Sequence, residues 1–216
     1  MQLLRVCSIL ALIAIAAPAT ASAQTPPANT GALGNVNGLF QDAAWQVSTN
    51  GGATWSQAYQ VQNPPGVWQL NTALSSWISA TSSGSGGGGD YYFRTSFDLT
   101  GYNAASAVMT FQCAIDNYPA AGSGYYSLNG GTYGGSCGNS NNSYQFTGTN
   151  TVSTGFVAGV NNLVFHVTGD SRTDGLDVGD MTLSARGVVS TPEPASLVLL
   201  ATGLVGVFGA ARRRRA

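Results

Sequence analysis

Lysine is missing from all 216 residues, histidine occurs once, at His166, and glutamate once, at Glu193. A nucleic-acid binder neutralises phosphates with basic side chains, so this composition argues against such a partner. Acid–base chemistry is equally short of material. His166 falls within 163–167, a strand-like run, and reads as a structural or exposed strand histidine, and no H-E-x-x-H pattern exists. Glycoside hydrolysis needs two carboxylates facing each other across a cleft, and no spacing here marks such a pair. The reading is therefore of a protein that is not an enzyme. Between the two ends of the chain there is also no sustained apolar period of 3.6 residues, which excludes a helical core.

Long apolar runs occur only at the two ends. Arg5 precedes an almost unbroken apolar stretch over 9–17, and Ala21-Ser22-Ala23 forms a small-residue cleavage site. The stretch is shorter than the roughly 20 residues of a membrane span, so 1–23 reads as a secretory signal peptide removed by signal peptidase. At the other end, Pro192-Glu193-Pro194 is followed by an uncharged run over 195–211 and then by Arg212, Arg213, Arg214 and Arg215. An apolar helix followed by arginines that resist translocation leaves the terminus in the cytoplasm and the bulk of the chain outside.

That order of Pro-Glu-Pro, apolar helix and terminal arginines resembles the PEP-CTERM sorting signal. The resemblance implies processing by an exosortase, with Pro192, Glu193, Pro194 and Arg212 to Arg215 as recognition residues. It places the protein in the inner membrane before processing and in the cell envelope or extracellular matrix afterwards. An uncut tail anchor is the alternative.

Setting 1–23 and 189–216 aside leaves a flexible lead-in over 24–38, rich in Pro, Ala, Asn and Gly, and a single domain over 39–188. Three arginines face eight aspartates there, a net charge of −5 that the whole-chain value of −1 conceals. Two cysteines remain, Cys113 and Cys137, and export to an oxidising compartment favours a disulfide between them over two free thiols.

Short β-like segments fill the domain. Candidates lie at 44–49, 59–62, 91–99, 107–115, 125–128, 144–149, 151–156, 162–168 and 176–185, and 67–74 is either a strand or an irregular crossing. Alternation is clearest where Tyr91, Phe93, Thr95, Phe97 and Leu99 share one face, and where Met109, Phe111, Cys113 and Ile115 share another. Asn50-Gly51-Gly52 and Asn129-Gly130-Gly131 are turn signals, and the Ser-Gly tract over 82–89 is a loop. The class is all-β, a jelly-roll-like β-sandwich.

The succession Ser76-Trp77-Ile78, Tyr92 through Leu99, Ala114-Ile115-Asp116-Asn117, Leu128-Asn129-Gly130-Gly131 and Gly155 through Leu163 resembles galactose-binding-like domains. This implies a jelly roll in which 94–99 pairs with 163–168. Stacking faces for sugars are available from Trp45, Trp55, Trp68, Trp77, Tyr125, Tyr126 and Tyr133, though large aromatics in a sandwich are commonly core. Tyr125, Tyr126 and Asn129, which border a Gly-rich loop, are the candidate ligand residues together with Asn117, which like Asn129 offers hydrogen bonds. No cofactor is expected, with structural calcium as an open alternative at Asp170, Asp174, Asp177 and Asp180. The function that emerges is a sorted, non-catalytic module that binds exopolysaccharide. A purely structural matrix protein or, last, a glycan hydrolase are the alternatives.

Overall fold

The computed structural model describes residues 26–32, 35–36, 38–117, 125–137, 144–146, 148–170, 172–188 and 202–204. The chain divides into two units. Ser22–Val188 holds the fold described below; of the other, Met1–Ala21 with Val189–Ala216, residues 202–204 are described and are helical. The expected signal peptide and nearly all of the expected membrane helix over 195–211 lie outside the described residues. Among those residues no helix is long and apolar enough to cross a membrane.

Among the described residues ten strands form the larger unit: β1 (Asn35–Val36), β2 (Gln41–Ser48), β3 (Ser56–Gln60), β4 (Ile78–Ser79), β5 (Gly89–Asp98), β6 (Tyr102–Asp116), β7 (Tyr126–Leu128), β8 (Asn150–Val152), β9 (Val160–Gly169) and β10 (Gly175–Gly187). They make one antiparallel sheet in the order β7-β9-β5-β2-β3-β4-β10-β6-β8, with β1 added beside β2. The sheet is curled. One apolar core gathers Trp45, Phe93 and Phe165 from one half with Met109, Phe111 and Leu176 from the other. Phe111 of β6 meets Phe165 of β9 edge-on at 5.4 Å between ring centroids.

Alternation in the sequence decides which face turns inward. Tyr91, Phe93, Thr95, Phe97 and Leu99 are all buried, as are Met109, Phe111, Cys113 and Ile115. β5 and β9 do pair, but in a register shifted from the one implied: 163–168 lies opposite 90–95, so of 94–99 only Arg94, opposite Val164, and Thr95, opposite Leu163, meet that segment.

A second, smaller core lies on the outer side of β6 and β10. There Trp68 and Trp77 stack at 4.0 Å over Ala114 and Val61, with Tyr144 and Phe146 against them. This cover settles one open reading and explains one departure. The stretch 67–74 takes the second of its two expected forms, an irregular crossing. Residues 144–146 and 148–149, expected as strand, are irregular because Tyr144 and Phe146 turn down onto the tryptophans; Phe146 fills the space that a Cβ at Gly179 would need. The strand expected over 151–156 stops at Val152, before Gly155 at φ 86°. Within the stretch read as a flexible lead-in, Thr30 is fully buried. Its hydroxyl donates to Asp177 at 3.0 Å and accepts from the backbone N–H of Val178 at 3.0 Å, which stitches that stretch onto β10.

Asp42, Asp116, Asp174 and Asp177 are buried. Burial pushes each carboxyl above its ordinary range, in opposition to the hydrogen bonds that each accepts. Asp42 takes backbone N–H groups from Gly31, Ala44 and Trp45; Asp177 takes Thr30 and Gln69. The charges of Asp170 and Asp174 raise Asp116 further. A raised folded value favours the protonated folded form. Its contribution to stability is full below the unfolded value of 3.8 and is lost as pH rises through the folded one. Thermal melts should therefore show a midpoint that falls over the window in which pH rises above about 4, with Asp177→Asn flattening part of the slope. A midpoint that rises across that window would refute the assignment.

Candidate site at the seam of the sheet

Rolling an open sheet brings its two end strands, β7 and β8, toward each other without pairing them. Between them runs a groove of about 400 Å³ lined by Tyr126, Ser127, Leu128, Thr132, Thr151 and Thr154, among others. All of its lining residues are uncharged, and half of them carry a hydroxyl.

Several bridges hold the seam. Cys113 on β6 is disulfide-bonded to Cys137 beyond β7, with Cα atoms 4.8 Å apart. Asn150 at the start of β8 donates to the carbonyl of Ser136 at 3.0 Å and accepts the Tyr126 hydroxyl at 3.3 Å. Asn129 donates to the carbonyl of Gly155 at 2.9 Å.

The structure strings the four candidate ligand residues along one edge of β9. Asn117 exchanges backbone hydrogen bonds with Thr168, the Tyr125 carbonyl accepts from His166, Tyr126 pairs with Phe165, and the Asn129 N–H donates to Asn162. The groove itself takes only Tyr126 from this set; Asn117 sits at the opposite end of the edge. Tyr126 packs its ring edge-on against Phe111 at 4.9 Å, and burial raises its phenol above the usual range. The Asn129 side chain is consumed by structure. At φ 52° it donates to Gly155 and Asn161 and accepts from the N–H of Asn162. Tyr126 forms part of the groove's wall, while Asn129 is not among its lining residues. The hydroxyls of Thr132, Ser153 and Thr154, which are exposed, were not singled out by sequence, since serine and threonine abound throughout the chain.

Of the aromatics, Trp45, Trp68 and Trp77 are core, while Trp55 and Tyr133 stay partly exposed. The four aspartates considered for calcium do not converge. Asp177 is sealed under Thr30 and Gln69, Asp180 is exposed, and Asp174 accepts from the backbone of Asp170 at 3.1 Å. Among the described residues, no group of three or more His, Cys, Asp or Glu is placed to hold a metal ion. His166 lies on the outer face of β9, its Nε2 2.9 Å from Asp90.

Pro192, Glu193, Pro194 and Arg212 to Arg215 lie outside the described residues. Residues 190–215 match the PEP-CTERM protein-sorting motif. No curated protein and no solved structure matches the chain.

Closing a loop of this length by a disulfide contributes about 3 kcal/mol through restriction of the unfolded chain. Urea denaturation with reductant, or of the Cys113→Ser/Cys137→Ser variant, should show a loss of about that size. Unchanged stability would mean that the side-chain bridges alone hold the seam.

Proposed function

We propose that this chain is an exported, exosortase-sorted protein of the cell envelope or extracellular matrix, whose β unit is a non-catalytic module that binds exopolysaccharide through the seam groove. The sorting motif over 190–215 supports the first half and implies an exported, membrane-anchored protein handed to an exosortase. The observation that carries the second half is the groove's chemistry. A neutral polyol gives up hydrogen bonds to water on binding, and a concave surface dense in hydroxyls with a Tyr126 wall restores them without burying charge. The all-antiparallel curl and the pairing of β5 with β9 agree with a galactose-binding-like architecture, which belongs to the same proposal. The buried aspartates are occupied with structural hydrogen bonds, which supports a non-catalytic reading.

Two measurements test the two halves separately. Mass spectrometry of the protein recovered from its native host should find a C-terminus close to Pro192-Glu193-Pro194, with Arg212 to Arg215 gone; an intact arginine end sinks the sorting claim. On a column of the host's exopolysaccharide, the full chain in detergent should be retained, and retention should persist in about 1 M salt because the groove carries no charge. Ser153→Ala/Thr154→Ala should weaken it by about tenfold, equivalent to about 1.4 kcal/mol. Absence of any salt-resistant retention would leave a purely structural matrix protein.

A further inference from the structure

The outward face of β2, β5 and β9 carries a second, chemically different surface. Along β5 the residues facing out are Asp90, Tyr92, Arg94, Ser96 and Asp98, the complement of the buried odd-numbered set. Cross-strand pairing sets Gln46 beside Arg94, His166 beside Tyr92 and Asn162 beside Ser96.

Arg94 is the feature to explain. In a domain with eight aspartates and three arginines, a guanidinium has carboxylates in ample supply. Two of them, Asp90 and Asp98, stand on the same face of the same strand, four residues to either side. Both turn elsewhere. Asp90 receives His166 at 2.9 Å and the Thr168 hydroxyl at 3.2 Å; Asp98 receives the backbone N–H and the hydroxyl of Thr100, both at 2.7 Å. Among the described residues Arg94 meets no carboxylate. Its Nη2 donates to the amide oxygen of Gln46 at 2.5 Å, and the Trp55 ring lies 4.2 Å from its Cζ. A guanidinium held over an indole and fixed by one amide has lost rotamer freedom in advance, and its planar fork suits a carboxylate.

Flat rings flank it. Tyr92 and His166 stack nearly parallel at 4.7 Å, and Tyr133 meets His166 edge-on at 5.9 Å. Residues two apart on a strand are separated by about 7 Å, so Tyr92 and Arg94 present a ring and a cation one sugar unit apart. Ser96 and Asn162, hydrogen-bonded at 2.7 Å, add polar groups on the other side of Arg94.

We propose that the outward face of β2, β5 and β9 is a second ligand site, taking a carboxylate-bearing polysaccharide with its acid group on Arg94 and its sugar rings against Trp55 and Tyr92. The site is separate from the seam groove. It differs in being charged and therefore salt-sensitive. The net charge of −5 holds acidic polymers off the rest of the surface, so binding is confined to this patch.

Affinity electrophoresis of the full chain in detergent tests the proposal, with polygalacturonate, dextran or polyglutamate cast in the gel. Polygalacturonate should retard the protein at low salt and lose its effect in about 0.5 M salt, and dextran should not retard it through this face. Arg94→Gln should weaken the retardation by about tenfold or more, and Arg94→Lys, which keeps the charge but not the fork, should restore only part of it. Thermal melts of both variants report whether the fold survives, and Trp55→Ala, at a partly exposed position, provides an independent loss of binding. Equal retardation of wild type and a folded Arg94→Gln variant would overturn the proposal. So would retardation by polyglutamate as strong as by polygalacturonate, which would make the face an acidic-peptide site. Because the groove is read out by salt-resistant retention, either site can fail without the other.

Discussion

The Cys113–Cys137 bridge, with the asparagines around it, meets a demand that this topology creates. A single antiparallel sheet rolled around one core has two end strands that cannot hydrogen-bond to each other at the curl adopted here, and unpaired edges invite fraying or pairing with another chain. The disulfide ties the segment after β7 to β6, while Asn150 and Asn129 reach across to Ser136 and Gly155. The groove is what remains open once those ties are made. Its position, its uncharged lining and the commitment of Asn129 to structure all follow from the need to hold a seam shut without closing it by backbone pairing.

The same constraint explains how the rest of the unit is built. Only the inner face of the sheet has a core in common, so the outer face of β6 and β10 needs separate cover. The crossing over 67–77 supplies it with stacked Trp68 and Trp77. Burying that surface buries polar groups as well, and the indoles and Gln69 find partners. Trp68 donates to Asp116, Trp77 to the Gln69 carbonyl, and Gln69 itself to Asp177. Thr30 completes the arrangement from the chain's N-terminal side. The aspartates here are structural hubs that stitch loops to β10 and β6, and they incur the cost of desolvation, which hydrogen bonds offset in part.

Legibility in the sequence tracks the distance over which each decision is made. Strand β5 could be read because Tyr91 to Leu99 alternate strictly, and its inward face follows from the period alone. The turn at Asn129 could be read because few residues other than Asn and Gly tolerate its backbone angle. What could not be read depends on contacts between remote segments. Tyr144 and Phe146 alternate like a strand, but the tryptophan pair draws them out of one. Thr30 lies in a composition typical of a linker, and only Asp177, 147 positions later, makes it buried structure. Of the candidate ligand residues, Tyr125, Tyr126 and Asn129 border a glycine-rich loop. The structure places them on a common edge of β9, where Asn129 and Tyr126 are spent on the fold, and the free hydroxyls of Ser153 and Thr154 carried no distinguishing pattern.

Arg94 shows how the two levels combine. Its strand position was legible, and so was the scarcity of basic residues around it, but scarcity alone says nothing about pairing. Only the register reveals that both aspartates on its own face are turned to other partners, and only the hairpin between β2 and β3 brings Trp55 over its guanidinium. A lysine-free, acidic, exported domain repels acidic polymers at most points on its surface. The one outward-facing cation that the strand β5 retains is then a means of selecting where such a polymer can attach. The neutral seam groove, which neither attracts nor repels charge, leaves that selection to the opposite type of chemistry.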